Sequence, residues 1–138
     1  MNEKTSRIGE EENRPPLLLV VDDDPSVREL LTVNLEARGY AVVSASNGAD
    51  ALDRLKNAIP ELILLDIMMP EMVGLEFSKI VRDHQAWGGI PIIMLTAKNT
   101  DRDKMICLDI LDADEYITKP FEIAHLMAAV ERLLHGNA

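Results

Sequence analysis

Cysteine, aromatic residues and positive charge are all scarce in this chain. A single cysteine, Cys107, excludes an intramolecular disulfide and fits a reducing compartment. Aromatic residues make up only 4% of the sequence, so aliphatic side chains must fill the core. There are 14 lysines and arginines against 24 aspartates and glutamates, and the net charge of -10 argues against direct binding to nucleic acid or to an anionic membrane.

Long apolar segments are absent as well. No apolar run approaches the roughly 18 residues that span a bilayer, and Met1 to Arg14 lacks the apolar stretch of a signal peptide. We therefore expect a soluble, cytoplasmic protein. Residues 1–15 are predicted to form a flexible tail and residues 16–136 one domain, since a chain of this length usually forms a single domain.

Short aliphatic runs alternate with segments of helical periodicity. Strands are predicted for Leu17–Val21, Tyr40–Ala45, Leu62–Leu65, Ile92–Leu95 and Tyr116–Thr118. Helices are predicted from Pro25 to about Gly39 and over Asn47–Ala58, Gly74–Asp83, Asp101–Leu111 and Ile123–Leu134, with Asp24 as the first N-cap. Unbroken aliphatic strands are buried on both faces, which is typical of a parallel sheet. The alternation predicts a doubly wound α/β domain with five strands and five helices.

Polar residues follow four of the predicted strands, at the edge where such sheets bind ligands. Carboxylates held together repel one another unless a cation neutralises them, and Mg²⁺ suits carboxylates combined with phosphate oxygens. A carboxylate can also attack phosphorus, and the transferred group then needs its charged oxygens neutralised. The set matches phosphoryl transfer to an aspartate: Asp22 and Asp23 after the first strand, Asp66 after the third, Thr96 after the fourth and Lys119 after the fifth.

Four segments of the chain resemble the receiver domain of response regulators in two-component signalling, the CheY-like superfamily. They are Leu19–Pro25, Leu64–Pro70, Leu95–Ala97 and Tyr116–Phe121. The resemblance covers nearly all of residues 16–136. It implies a flavodoxin-like fold with a five-stranded parallel sheet in the order 2-1-3-4-5, flanked by five helices.

By position, the resemblance also implies a role for each polar residue. Asp66 would accept a phosphoryl group from a histidine kinase or a phosphotransfer protein, and Lys119 would contact the phosphate. The expected Mg²⁺ ligands are Asp23 directly, Asp22 mainly through water, Asp66 and the backbone carbonyl of Met68. Thr96 and Tyr116 would form a switch pair, and the bond between Lys119 and Pro120 would be cis.

The resemblance implies an output face built from the predicted helix Asp101–Leu111, the strand Tyr116–Thr118 and the helix Ile123–Leu134. An effector domain or protein is its expected partner, and a homodimer remains open. Asp112 replaces a common glycine, and the segment from Thr96 to Lys119 is one residue longer than usual. Either an irregular helix end or a different course of the helix is therefore predicted there. Val73 replaces a usual aspartate and is expected to affect only its own loop.

Two further positions bear on the lifetime of the phosphorylated state. Met68 and Lys98 lie two residues after Asp66 and Thr96, and neither side chain readily orients an attacking water. We therefore predict a relatively long-lived phosphorylated state. Four nearby acids are interpreted as a solvated face, with a second cation site as the alternative: Asp109, Asp112, Asp114 and Glu115.

The chain is predicted not to be an enzyme, and two alternatives to the phosphorylation switch remain. A phosphatase of the haloacid-dehalogenase type also uses aspartate, magnesium, threonine and lysine. Its later acidic pair should follow the lysine, however, whereas Asp112 and Asp114 precede Lys119, and Asp66 would stay unexplained. The second alternative is a receiver that works as a binding module without phosphorylation.

Overall fold

Five parallel strands form one sheet in the computed structural model, which describes residues 14–66, 74–97, 105, 108 and 113–136. The strands are β1 (Leu17–Val21), β2 (Ala41–Ala45), β3 (Leu62–Asp66), β4 (Ile92–Thr96) and β5 (Glu115–Thr118). Their order is β2-β1-β3-β4-β5. The predicted topology is therefore confirmed.

The described residues form four helices, whereas five were predicted. They are α1 (Pro25–Ala37), α2 (Gly48–Asn57), α3 (Gly74–Asp83) and α4 (Ile123–His135). The remaining predicted helix, Asp101–Leu111, lies outside the described residues apart from Met105 and Leu108. The predicted tail also lies outside them, apart from Arg14 and Pro15. Among the described helices, none combines the length and the apolar character needed to cross a bilayer.

The aliphatic runs form the centre of the sheet because both of its faces are covered. All residues of β3 and β4 are buried. Alternate residues of β1 point to opposite faces, so that Leu18 packs in one apolar cluster and Leu19 in the other. One cluster includes Leu31 of α1 and Val130 of α4, and the other includes residues of α2 and α3 such as Leu55, Phe77 and Val81.

Local capping places the start of α1 directly after β1. The Asp24 side chain accepts a hydrogen bond from the Ser26 backbone N–H at 2.9 Å, and Pro25 occupies the first helical turn. The predicted N-cap is thus confirmed. Gly39 follows α1 with a φ of 93°, a left-handed conformation that glycine adopts without strain.

An arginine-centred network joins α3 to the amino ends of β4 and β5. Arg82 donates to the carbonyl oxygens of Gly88 and Ile90 at 3.1 and 2.6 Å, and to the Asp114 carboxylate at 2.9 Å. Asp114 also accepts from the Ile92 backbone N–H at 2.8 Å. Asp114 is exposed, which agrees with the predicted solvated face, and Glu115 is half-buried and pairs with Arg132 at 2.5 Å. These ion pairs were not predicted, and Asp109 and Asp112 lie outside the described residues.

Candidate phosphorylation site

Three carboxylates meet at the carboxyl edge of the sheet. Asp22 directly follows β1 and Asp66 ends β3, and these two strands are hydrogen-bonded neighbours. One carboxylate oxygen from each of Asp22, Asp23 and Asp66 lies within 4.8 Å of the other two. Asp22 and Asp66 are buried, with 1% and 5% of their surface exposed, whereas Asp23 is exposed. The structure thus brings the three predicted acids together.

Lys119 connects two of these acids. Its Nζ donates to Asp22 Oδ2 at 2.6 Å and to Asp66 Oδ2 at 3.4 Å. Its backbone N–H donates to the Thr96 carbonyl oxygen at 2.8 Å, and the bond to Pro120 is cis, as the resemblance implied. Burial alone lowers the pKa of the Lys119 ammonium. The hydrogen bond to Asp22 and the charges of Asp22 and Asp66 outweigh burial, so this pKa lies above its ordinary value of 10.5.

The hydrogen-bonding groups of Asp22 are all engaged by protein partners. Its backbone N–H donates to the Ala45 carbonyl at 3.1 Å, and its Oδ1 accepts from the Asp24 N–H at 2.9 Å. Lys119 occupies Oδ2, and the Asp22 carbonyl oxygen accepts from Arg28 Nη1 at 2.7 Å. Within the part of the chain that the structure describes, by contrast, the Asp23 carboxylate has no hydrogen-bond partner. Asp23 is therefore the acid of this pair that is more open to a cation.

The hydrogen bond from Arg28 to the Asp22 carbonyl oxygen was not predicted from the sequence. The available signal was its position, four residues after the N-cap Asp24, because a long side chain one turn into a helix can reach back over the preceding loop. That signal is weak in isolation, since most arginines on a helix face the solvent.

The remaining predicted residues are placed as follows. Thr96 is buried at the end of β4, opposite Thr118 of β5 in the strand register. Tyr116 is buried in the apolar cluster that α2 and α3 cover. Met68, Val73, Lys98 and Asp112 lie outside the described residues, so the metal contact of the Met68 carbonyl stays a prediction.

The donor set fits a hard divalent cation. Mg²⁺ binds oxygen at about 2.0–2.1 Å, so two oxygens on one ion lie within about 4.2 Å of each other, a small step from the spacing of these carboxylates. Three carboxylates and one ammonium leave a formal charge of -2 at the site, which one such cation balances. The acidic cluster can therefore bind a metal ion.

A parallel sheet of this order, with an acidic cluster and a lysine at its carboxyl edge, defines the receiver class of signalling domains. The family model described as the response regulator receiver domain matches residues 18–131, and the chain belongs to that family. This assignment confirms the resemblance and favours a two-component switch over a phosphatase.

Individual relatives agree with the family assignment. The chain is 44% identical over 120 residues to the alkaline phosphatase synthesis transcriptional regulatory protein PhoP of Bacillus subtilis, a match that covers 87% of this chain and 49% of PhoP. The chain spans about half the length of the curated relatives it matches.

Solved structures match over nearly their whole length. The chemotaxis protein CheY4 of Vibrio cholerae superimposes with a TM-score of 0.82 at 32% identity, covering 87% of this chain and 99% of that one. The response regulator TrrA of Thermotoga maritima, in complex with Mg²⁺-BeF, gives a TM-score of 0.74 at 36% identity, covering 86% and 99% of the two chains.

Proposed function

We propose that residues 16–136 form a receiver domain in which Asp66 accepts a phosphoryl group from a histidine kinase or a phosphotransfer protein. The observation that carries this proposal is the position of Lys119 Nζ, which bridges Asp22 and Asp66 at 2.6 and 3.4 Å beside the exposed Asp23. Three carboxylates, among them the proposed nucleophile Asp66, and one ammonium therefore lie together at one sheet edge.

In the proposed reaction, a carboxylate oxygen of Asp66 forms a bond to the phosphorus of a phosphohistidine. The phosphorus–nitrogen bond breaks, and the departing imidazole takes up a proton. Lys119 neutralises one phosphoryl oxygen, and the Thr96 hydroxyl donates a hydrogen bond to a second. Mg²⁺ would be held by Asp23 and Asp66, by Asp22 through water, and by the Met68 carbonyl, and when bound it supplies charge neutralisation for the third oxygen. The complex of TrrA with Mg²⁺-BeF supports magnesium as the ion.

Phosphorylation would then change the output face. The added charge of roughly -1.5 to -2 draws Thr96 and Lys119 towards the phosphate, and Tyr116 completes the switch pair. A groove of about 510 Å³ is lined by residues that precede and follow Lys119 in the sequence: Tyr116–Thr118, Pro120–Glu122 and His125. The proposed partner at this face is an effector domain or protein, or a second copy of the chain.

The proposed switch acts in the cytoplasm, where phosphohistidine donors form from ATP, and it turns over no separate substrate. Its net charge of -10 argues against nucleic-acid contact by this domain itself. The proposal includes a relatively long-lived phosphorylated state, because neither the Met68 nor the Lys98 side chain readily orients an attacking water.

Phosphoryl labelling tests the assignment of Asp66. Wild-type protein, Asp66→Asn and Asp53→Asn, which removes an exposed acid on α2, are incubated with Mg²⁺ and acetyl phosphate and weighed by intact mass spectrometry. We expect one added phosphoryl group on the wild type and on Asp53→Asn, and none on Asp66→Asn. Equal labelling of Asp66→Asn would refute the assignment.

Steady hydrolysis of p-nitrophenyl phosphate would favour the phosphatase, and full regulated output from Asp66→Asn would favour the phosphorylation-independent module.

A further inference from the structure

The side chain of Arg28 joins helix α1 to the loop after β1 that contains Asp22 and Asp23. Arg28 is half-buried, and its Nη1 donates to the Asp22 carbonyl oxygen at 2.7 Å. Its backbone N–H donates to the Asp24 carbonyl oxygen at 3.1 Å, as the first hydrogen bond of α1. The same residue therefore joins the capped end of the helix to the loop through its backbone and its side chain.

The hydrogen bond to the Asp22 carbonyl bears on Asp23 more than on Asp22. That carbonyl belongs to the peptide unit that links the two residues, and a peptide unit is planar. Fixing its orientation restricts the backbone on both sides and hence the direction of the Asp23 side chain. Asp22 is already held by Ala45, Asp24 and Lys119, whereas no other side chain in the described ranges bonds to Asp23 or to this peptide.

We propose that Arg28 is a positioning residue of the metal site. Its guanidinium holds the Asp22–Asp23 peptide so that the Asp23 carboxylate stays within reach of Asp66 for a single divalent cation. This inference rests on the proposed function, since it concerns the same site. The positioning role predicts that removal of Arg28 weakens cation binding. A guanidinium that acted only through its charge would repel a bound cation, and its removal would tighten cation binding.

The test compares Arg28→Met with Arg38→Met, which removes a positive charge from the exposed C-cap of the same helix. Mg²⁺ affinity is measured by calorimetry, and the rate of phosphorylation by acetyl phosphate is measured across Mg²⁺ concentrations. We expect Arg28→Met to weaken Mg²⁺ binding about tenfold, as loss of a group that orients a metal ligand does. At saturating Mg²⁺ its phosphorylation rate should stay within about twofold of the wild type. Arg38→Met should bind Mg²⁺ as the wild type does.

Unchanged or tighter Mg²⁺ binding by Arg28→Met would overturn the positioning role. This holds even if the variant also unfolds at a lower denaturant concentration than the wild type. Should Arg28→Met fail to fold, Arg28→Gln carries the test, because its shorter, uncharged side chain does not span the same distance to the Asp22 carbonyl and should also weaken Mg²⁺ binding about tenfold. Wild-type affinity of that variant would overturn the proposal. Wild-type protein that binds no Mg²⁺, or takes up no phosphoryl group, would contradict the proposed function instead.

Discussion

Replacing Asp66 by asparagine removes one of three carboxylates that lie within 4.8 Å of one another. At an effective dielectric constant of about 20, two unit charges at that distance repel by about 3.5 kcal/mol. Asp66 meets two such neighbours, although solvent screens the repulsion from the exposed Asp23. The opposing attraction to Lys119 Nζ, at 3.4 Å, amounts to about 5 kcal/mol on the same scale.

Repulsion and the burial of the Asp66 charge together exceed that attraction, so the asparagine variant should be the more stable protein without metal. We expect a gain of about 1–2 kcal/mol in a chelator, which shifts a urea midpoint by about 0.5–1 M. Mg²⁺ should reduce this difference in unfolding free energy. At a concentration of ten times its dissociation constant, it stabilises the wild type by about 1.4 kcal/mol. Trp87, the single tryptophan, is 7% exposed and reports unfolding by its fluorescence.

Asp53→Asn is the matched control and should change stability by less than about 0.5 kcal/mol in either buffer. An Asp66→Asn variant that is less stable than the wild type in chelator would refute the reasoning. It would mean that the attraction to Lys119 outweighs the repulsion within the acidic cluster.

Three further predictions concern single side chains and use urea unfolding. Lys119→Met should cost about 2–4 kcal/mol in chelator at pH 7, since Asp22 loses a buried counter-charge. The raised pKa of Lys119 means that this difference persists below pH 10.5 and shrinks as the pH rises further. Ser78→Ala should not destabilise the protein, because the Ser78 hydroxyl is buried without a hydrogen-bond partner in the described ranges. Arg82→Met should lower the free energy of unfolding by about 2–3 kcal/mol, because it removes the hydrogen bonds to two backbone carbonyls and to Asp114. It should leave phosphorylation unchanged, because Asp66 lies at the opposite edge of the sheet.

The sheet and the acidic cluster were predictable because local sequence determines them. Each buried strand is an aliphatic run, and the residue that ends it must lie at the carboxyl edge once the strands are parallel. Asp66 and Lys119 follow from that rule although 53 positions separate them in the chain. Asp24 was predictable as a cap because its bond to Ser26 spans two residues.

Contacts made by long side chains could not be predicted in the same way. Arg82 reaches Asp114 across 32 positions, and the choice of partner depends on how the loop between α3 and β4 folds. Arg28 is close to Asp22 in sequence, but its direction is set by the packing of α1 on the sheet. The ion pairs of Asp114 and Glu115 could not be predicted for the same reason, since their arginine partners lie on α3 and α4.

The position of Lys119 has a consequence for how strongly such a switch is driven. In the resting protein the ammonium lies closer to Asp22, at 2.6 Å, than to Asp66, at 3.4 Å. A phosphoryl group on Asp66 would thus exchange one ion-pair partner for another and would not create a pair where none existed. The driving force is then only the difference between the attraction of Lys119 to the more highly charged phosphoryl group and its attraction to Asp22, which narrows the free-energy gap between the two states. A signal carried in this way is easily reversed once the phosphoryl group is lost.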